Sequence, residues 1–351
     1  MTPQPKMPYV RLGTSGLKVS RIILGCMSYG DPEWSGNWVL AEEEASKHIK
    51  AAYDAGINTF DTANGYSNGL SEEVLGRAIK AHNLPRDEIV VMTKVFFAVS
   101  KKNTNESLWI TTPDLDGAGY VNQYGLSRKH IFDSVAASLR RLGVDYIDVL
   151  QCHRFDPNTP IEETMQALHD VVKAGHVRYV GMSSCYAYQF HAMQNYAITN
   201  KLTPFISMQN HYSLLYREEE REMFPTLKHF GVGSIPWSAI ARGALARPHT
   251  KQSNRADTDV FSANAYIQSP SNKEIVNRRA VVEEIAKKRG ISMAQLAVAW
   301  VLCNDTVSAP IVGTTSLANL TDIIGAVNVK LTEEERKYLE EPYKPQAIFG
   351  H

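Results

Sequence analysis

Four side chains capable of proton transfer stand at or just past the ends of short apolar runs. Asp61 follows Ile57–Phe60, Tyr66 comes five residues later in DTANGYSNG, Lys94 closes IVVMTK, and His153 closes IDVLQCH. A free phenol has a pKa of about 10 and is a poor acid at neutral pH. An ammonium beside it stabilises the phenolate and lowers that value, and a carboxylate beside the ammonium keeps it charged and oriented. Tyr66, Lys94 and Asp61 supply these three groups, and His153 is placed to orient a carbonyl oxygen beside Tyr66 or to relay its proton. Such a set protonates an oxygen that becomes negative while a hydride arrives at carbon. A single Lys or His at a strand end is more often a satisfied polar residue than a catalyst. Four such residues at or just past the ends of successive apolar runs argue for function.

Positioning them takes a repeated strand–helix alternation. Short β-branched runs predict strands near 22–24, 57–60, 89–93, 146–150, 178–182, 205–208, 233–236 and 308–312. Most are apolar throughout, as parallel strands buried on both faces are. Helices are expected near 41–55, 71–82, 127–142, 160–174, 186–200, 217–230 and 273–303, with Ser71 and Ser127 as starts and Gly175 and Gly231 as stops. The alternation predicts a (β/α)8 TIM barrel, one domain over 1–351, whose chemistry sits at the C-terminal ends of the strands. No G-x-G-x-x-G turn follows the first strand, which weighs against an open dinucleotide-binding sheet. Tyr9–Val19, with Gly13 and Gly16 inside it, reads as a β-hairpin ahead of the barrel. Two long polar stretches, 95–125 and 240–271, follow strands at the active face and read as lids or substrate walls.

The composition narrows the class. The chain has 351 residues, 44% of them hydrophobic, with 37 basic and 37 acidic side chains. That balance gives no electrostatic case for nucleic acid or an anionic membrane. The start lacks a signal-peptide core, and the most apolar helix is too short to span a bilayer, so a cytoplasmic protein is expected. Cys26, Cys152, Cys185 and Cys303 lie at no metal-ligand spacing and read as reduced, mostly buried thiols. Cys152 and His153, as strand neighbours, point to opposite faces and are not a nucleophile–base pair.

DTANGYSNG, TKV and LQCHR together resemble the signatures of the aldo-keto reductases, and the resemblance runs from RLGTSGLKVSRIILG to IVGTTSLANL. It is nearest to the fungal aryl-alcohol-dehydrogenase-like branch, through YVNQYGLSRKHIFD, HRFDPNTPIEETMQALHDVVKAG and SMQNHYSLLYREEEREM. It implies a catalytic tetrad of Asp61, Tyr66, Lys94 and His153. Tyr66 would be the general acid of reversible hydride transfer between a nicotinamide and an aldehyde or ketone. No metal is implied. The cofactor residues implied are Gly25 and Met27 after the first strand, Asp61, Ser183 and Ser184 in GMSS, and Gln209 in SMQN. Trp237 would stack on the nicotinamide, and Ser238, Ile240, Arg242 and Gly243 would form the pyrophosphate loop. Gly313, Thr315, Asn319 and Asp322 fall at the adenosine end. Ser184 stands where many relatives have Asn, and the adenosine segment holds no Lys or Arg near Ser316. The resemblance still implies NADP as the cofactor, with NAD or dual use the alternative.

Aromatic substrate-wall candidates are Tyr29, Trp34, Trp38, Phe96, Phe97, Tyr186 and Tyr188, and the tail residues Ile348 and Phe349 are candidates to close over the site. Such walls suit flat, hydrophobic carbonyl compounds, and a biosynthetic ketone or hemiacetal reduction in fungal secondary metabolism fits them. Two other readings compete. One is a nicotinamide-binding regulatory subunit of the same fold, and the other is a phosphate-handling barrel lyase.

Overall fold

The computed structural model describes residues 7–34, 36–102, 105–251 and 273–351. Strands β1 (Tyr9–Arg11) and β2 (Lys18–Ser20) pair antiparallel as the expected hairpin. Eight strands follow: β3 (Ile23–Gly25), β4 (Thr59–Asp61), β5 (Val90–Val95), β6 (Ile147–Cys152), β7 (Val177–Ser183), β8 (Phe205–Gln209), β9 (Gly233–Ser234) and β10 (Ile311–Val312). They run parallel in the order β10-β3-β4-β5-β6-β7-β8-β9. The two ends of that row meet, with Ser308 N donating to Ser234 O at 2.8 Å and Ile311 N to Pro236 O at 2.9 Å. The fold is the (β/α)8 barrel expected from the alternation.

The period-two alternation of a strand sorts its side chains. Inside the barrel, Val90 and Met92 of β5 pack with Val149 of β6 and Ile235, and the hairpin residues Leu12 and Val19 close this apolar plug. Higher on the same faces stand Lys94 and Gln151, opposite each other in the β5–β6 register. The interior thus changes from apolar at the base to polar at the top. The hairpin seats on Gly13, whose φ is +59°, and a Cβ there would fall 2.4 Å from the Gly231 carbonyl oxygen.

Outside the barrel, Val91 and Leu150 join a larger apolar core against the helices. A buried carboxylate also lies in this outer layer. Glu72, on helix Leu70–Ala81, is fully buried and accepts from Thr93 Oγ1 at 2.5 Å and from Arg141 Nε at 2.6 Å.

Some helix boundaries differ from the expectation. Ser71 is not a cap: Gly69, in the left-handed region, precedes Leu70–Ala81, and Ser71 Oγ donates to Cys26 O at 2.8 Å. Ser127 does cap Arg128–Leu142, accepting from His130 N. The stretch 273–303 is two helices, Lys273–Arg289 and Met293–Leu302, separated at Gly290 (φ +64°) and restarted by Ser292. The stretch 217–230 is a 3-10 turn, Glu218–Glu220, then helix Met223–Phe230. Helix Glu333–Glu340, begun by a Thr332/Glu335 capping box, is absent from the sequence reading. The first long loop carries the short helix Leu108–Thr111. The second begins with a 3-10 turn, Ala241–Ala246, and residues 252–271 of it lie outside the described residues. Among the described residues, no helix is long and apolar enough to cross a membrane.

Candidate active site

Strands β4, β5 and β6 deliver the proton-transfer set to one point. Lys94, fully buried, donates to Asp61 Oδ2 at 2.6 Å, to the Thr62 carbonyl at 2.8 Å and to Tyr66 Oη at 3.2 Å. These contacts use all three ammonium donors. The other carboxylate oxygen, Asp61 Oδ1, accepts from Gln151 Nε2 at 2.8 Å and Gln209 Nε2 at 2.9 Å, and Gln209 also donates to Gln151 Oε1 at 2.9 Å. Tyr66 reaches this point through a 3-10 turn after β4, whose inner residues Ser67 and Asn68 have φ of 45° and 49°. Its ring meets His153 edge-on, with centroids 5.7 Å apart.

The protonation states follow from burial and charge. Burial pushes the Tyr66 phenol up, and Lys94 only partly offsets this, so the net direction is upward rather than the lowering expected from sequence. Burial would push Lys94 down, but Asp61 and then Tyr66 outweigh it, so Lys94 stays a cation. Burial, then the charges of Lys94 and Arg154, hold His153 well below its ordinary value, so its ring is neutral. Burial pushes the Cys152 thiol up to about 12, leaving it un-ionised.

One cavity of about 750 Å³ opens over this set. Asp61, Tyr66 and His153 line it, with Gly25, Met27, Ser183, Gln209, Trp237, Ser238, Ile240, Arg242, Gly243, Gly313, Thr315, Asn319 and Asp322. Lys94 is not part of the wall. Ser183 Oγ donates to the Gln209 carbonyl at 2.8 Å. Ser184 is not among the wall residues either; its Oγ accepts from Trp237 Nε1 at 3.1 Å and so fixes the indole. On one side the indole stacks on His211 at 4.3 Å, and His211 stacks on Tyr216 at 4.3 Å. After it, Ser238, Ala241, Arg242 and Gly243 have φ of 59°, 47°, 54° and 94°. Left-handed residues grouped in this way turn backbone N–H groups into an anion-binding nest. At the far end, Ser316 caps helix Leu317–Ile324, and Asp322 is held by Ser292 Oγ and Gln295 Nε2.

The expected aromatic walls are mostly elsewhere. Tyr29 is fully buried in the outer core with its edge against His48, because its neighbours are helix residues rather than the cavity. Trp34 is fully buried behind Tyr66, 6.2 Å between centroids, and it is Trp38 that lines the cavity. Phe96 packs on the outer core and Phe97, with Phe97 between it and His153. Tyr186 is exposed, stacks on Tyr188, and stays outside the wall. Of the tail, Ile348 is exposed, whereas Phe349 meets His211 edge-on and its N–H donates to Tyr216 Oη at 3.1 Å. The sequence reading also missed Gln151, Arg154 and Arg247. Gln151 sits inside an apolar run, and the inward register it shares with Lys94 was the available signal. Arg154 and Arg247 are cations in loops, yet both line the cavity.

The model of the aldo/keto reductase family matches residues 21–344. Relatives match over nearly their full lengths. A versiconal hemiacetal acetate reductase of Aspergillus parasiticus is 50% identical over 97% of this chain and 98% of its own. An aldo-keto reductase of Alternaria alternata is 48% identical, covering 98% of this chain and 93% of its own. A Schizosaccharomyces pombe protein named for aryl-alcohol dehydrogenases is 51% identical over 97% of both chains.

Proposed function

The chain belongs to the aldo/keto reductase family, and from that premise we propose that it is an NADP-dependent oxidoreductase reducing an aldehyde or ketone to the alcohol. The observation that carries this reading is the Asp61–Lys94–Tyr66 hydrogen-bonded chain ending at a cavity large enough for a nicotinamide cofactor and a small carbonyl compound. Trp237, held by Ser184 and backed by His211, offers a fixed ring face for the nicotinamide. The nest from Ser238 to Gly243 and the Arg242 guanidinium suit a pyrophosphate. Thr315 and the capped helix start at Ser316 suit an adenosine phosphate, and Arg247 adds a cation to the cavity that the adenosine segment lacks. These residues fit the cofactor, which when bound supplies the hydride.

The chain's own groups handle the proton. Tyr66, protonated at neutral pH as any phenol is and held further that way by burial, donates to the substrate oxygen as that oxygen gains charge. Lys94 stabilises the phenolate left behind, and Asp61 keeps Lys94 charged. Gln151 and Gln209 hold the carboxylate in place. His153, neutral, directs the carbonyl oxygen toward Tyr66 with a ring N–H. In the reverse direction Tyr66 must first lose its proton, so alcohol oxidation is favoured at alkaline pH.

The substrate is a carbonyl compound or its hemiacetal, a reading that the relative named a versiconal hemiacetal acetate reductase supports, and a place in cytoplasmic secondary metabolism is part of the same proposal. The test is oxidation of NADPH and of NADH by the purified protein with a panel of aryl and aliphatic aldehydes. Turnover with NADPH and an aryl aldehyde supports the reading, and turnover with NADH alone reverses the cofactor assignment. Binding of NADPH without consumption across the panel points to the regulatory use of the fold.

A further inference from the structure

A half-buried cation in the cavity wall stands without a counter-charge among the described residues. Arg154 follows His153 directly and is a wall residue beside Tyr66. Its Nη1 donates to the His153 carbonyl at 2.6 Å, and its guanidinium carbon lies 6.0 Å from the centre of the Phe97 ring. Among the described residues, no carboxylate forms an ion pair with it. Other partly buried arginines have one: Arg141 meets Glu72, Arg217 meets Glu220 and Arg289 meets Glu335. Burial, with the nearby Arg242 charge adding to it, pushes Arg154 down only to about 10, so it stays a cation at neutral pH.

Burying a cation without a counter-ion is costly unless something else supplies the charge. The Lys94 charge is taken by Asp61, so Lys94 and Asp61 do not change this balance. Arg242 belongs to the loop suited to the pyrophosphate, whereas Arg154 stands with Tyr66 and His153, where a substrate carbonyl would lie. A guanidinium is a planar fork matched to a carboxylate.

We infer that Arg154 selects carbonyl substrates bearing a carboxylate, which it binds beside the reacting group. This rests on the reductase reading and names the substrate class of that site. Arg154 is then a specificity residue rather than a proton donor.

The test compares 3- and 4-carboxybenzaldehyde with their methyl esters, using the full chain and NADPH. Wild type should favour at least one acid over its ester by about tenfold or more in kcat/KM, the size of one charge-assisted hydrogen bond. Arg154→Met should abolish that preference through KM while leaving ester turnover and NADPH affinity within about threefold, a change too small for loss of a charged contact. Arg154→Lys should restore part of it. Equal losses on acid and ester would overturn the inference and leave Arg154 acting on Tyr66 alone. Weakened NADPH binding with no change in acid preference would overturn it in favour of a cofactor phosphate contact. Calorimetry with 4-(hydroxymethyl)benzoate and benzyl alcohol reads the same selection without turnover. If no aldehyde is reduced but the benzoate binds only when Arg154 is present, the reductase reading fails and the anion site stands. Equal binding of the two alcohols overturns the site itself.

Discussion

Thr93 and Lys94 are adjacent on one strand, and each ends at a buried carboxylate on an opposite face of the barrel wall. Outside, Thr93 meets Glu72, which pairs with Arg141. Inside, Lys94 meets Asp61, which two glutamines hold. Both ion pairs are 2.6 Å long and both carboxylates are hidden from water, although the Arg141 side chain is 18% exposed and that of Lys94 is fully buried. What differs is the contact beyond the cation. Arg141 also donates to Ser138 Oγ on its own helix, so the outer charge ends in structure. Lys94 makes a further contact with Tyr66, whose phenol borders the cavity. A buried ion pair is thus structural or chemical according to whether its charge reaches a titratable group on an open wall.

The comparison predicts opposite losses. Tyr66→Phe removes the open end of the inner chain and should cut carbonyl reduction by about 10²–10⁴-fold. Its melting temperature should move by no more than about 2–4 °C, because one modest hydrogen bond is lost. Near-normal turnover of a well-folded Tyr66→Phe protein would break the comparison. Arg141→Met should do the reverse. It leaves Glu72 buried without its cation and should cost about 3–5 kcal/mol in urea unfolding, with kcat of the folded fraction unchanged.

Two buried histidines extend the contrast to pH. His130 lies on the outer helix Arg128–Leu142, and burial holds it down at about 4. An unfolded histidine titrates near 6.5, so between those values the unfolded chain takes up the proton and the folded one does not. Stability contributed by His130 is complete above about 6.5 and is lost as pH falls toward 4, about 3 kcal/mol in all at 1.36 kcal/mol per unit. His130→Gln should flatten unfolding free energy against pH in that window without touching activity. His153, held low in the same direction, should flatten it too on substitution but abolish turnover, and equal effects on activity would erase the distinction between the layers. The smallest effect expected is on the indole. Ser184→Ala removes the acceptor of Trp237 Nε1 and should weaken cofactor binding about fivefold, the worth of about 1 kcal/mol, by fluorescence titration.

The inner layer was largely legible in the sequence and the outer polar pair was not. Asp61, Lys94 and His153 announce themselves because a polar residue ending an apolar run must face something. Gln151 breaks such a run from within, and only its pairing with Lys94 across the ladder reveals its direction. Glu72 sits in the first turn of a helix, where an acid usually faces solvent, and its burial depends on Arg141, 69 residues away. Apart from Trp38, the aromatic wall candidates lie off the cavity for a related reason. Tyr29, Trp34 and Phe96 are near the site in sequence, but Tyr29 and Phe96 pack into the outer core and Trp34 behind Tyr66 with Trp38, Val39 and Ala63. Ser71 has the residue type of a cap, yet its hydroxyl is engaged by Cys26 and Thr62.

The hairpin seat at Gly13 has a consequence for the order of assembly. The hairpin is local and can form as soon as Tyr9–Ser20 leaves the ribosome. Its docking surface, around Gly231 and Gly233, is some two hundred residues further along the chain. The seat of Gly13 is therefore complete only when β9 arrives, although Val90, Met92 and Val149, which share the plug with Leu12 and Val19, are made earlier. Closing so long a loop is slow, and an apolar hairpin without its seat is a site for misassociation. Gly13→Ala, with its Cβ against backbone rather than a movable side chain, should lower the yield of soluble protein in a way that chaperone co-expression partly reverses.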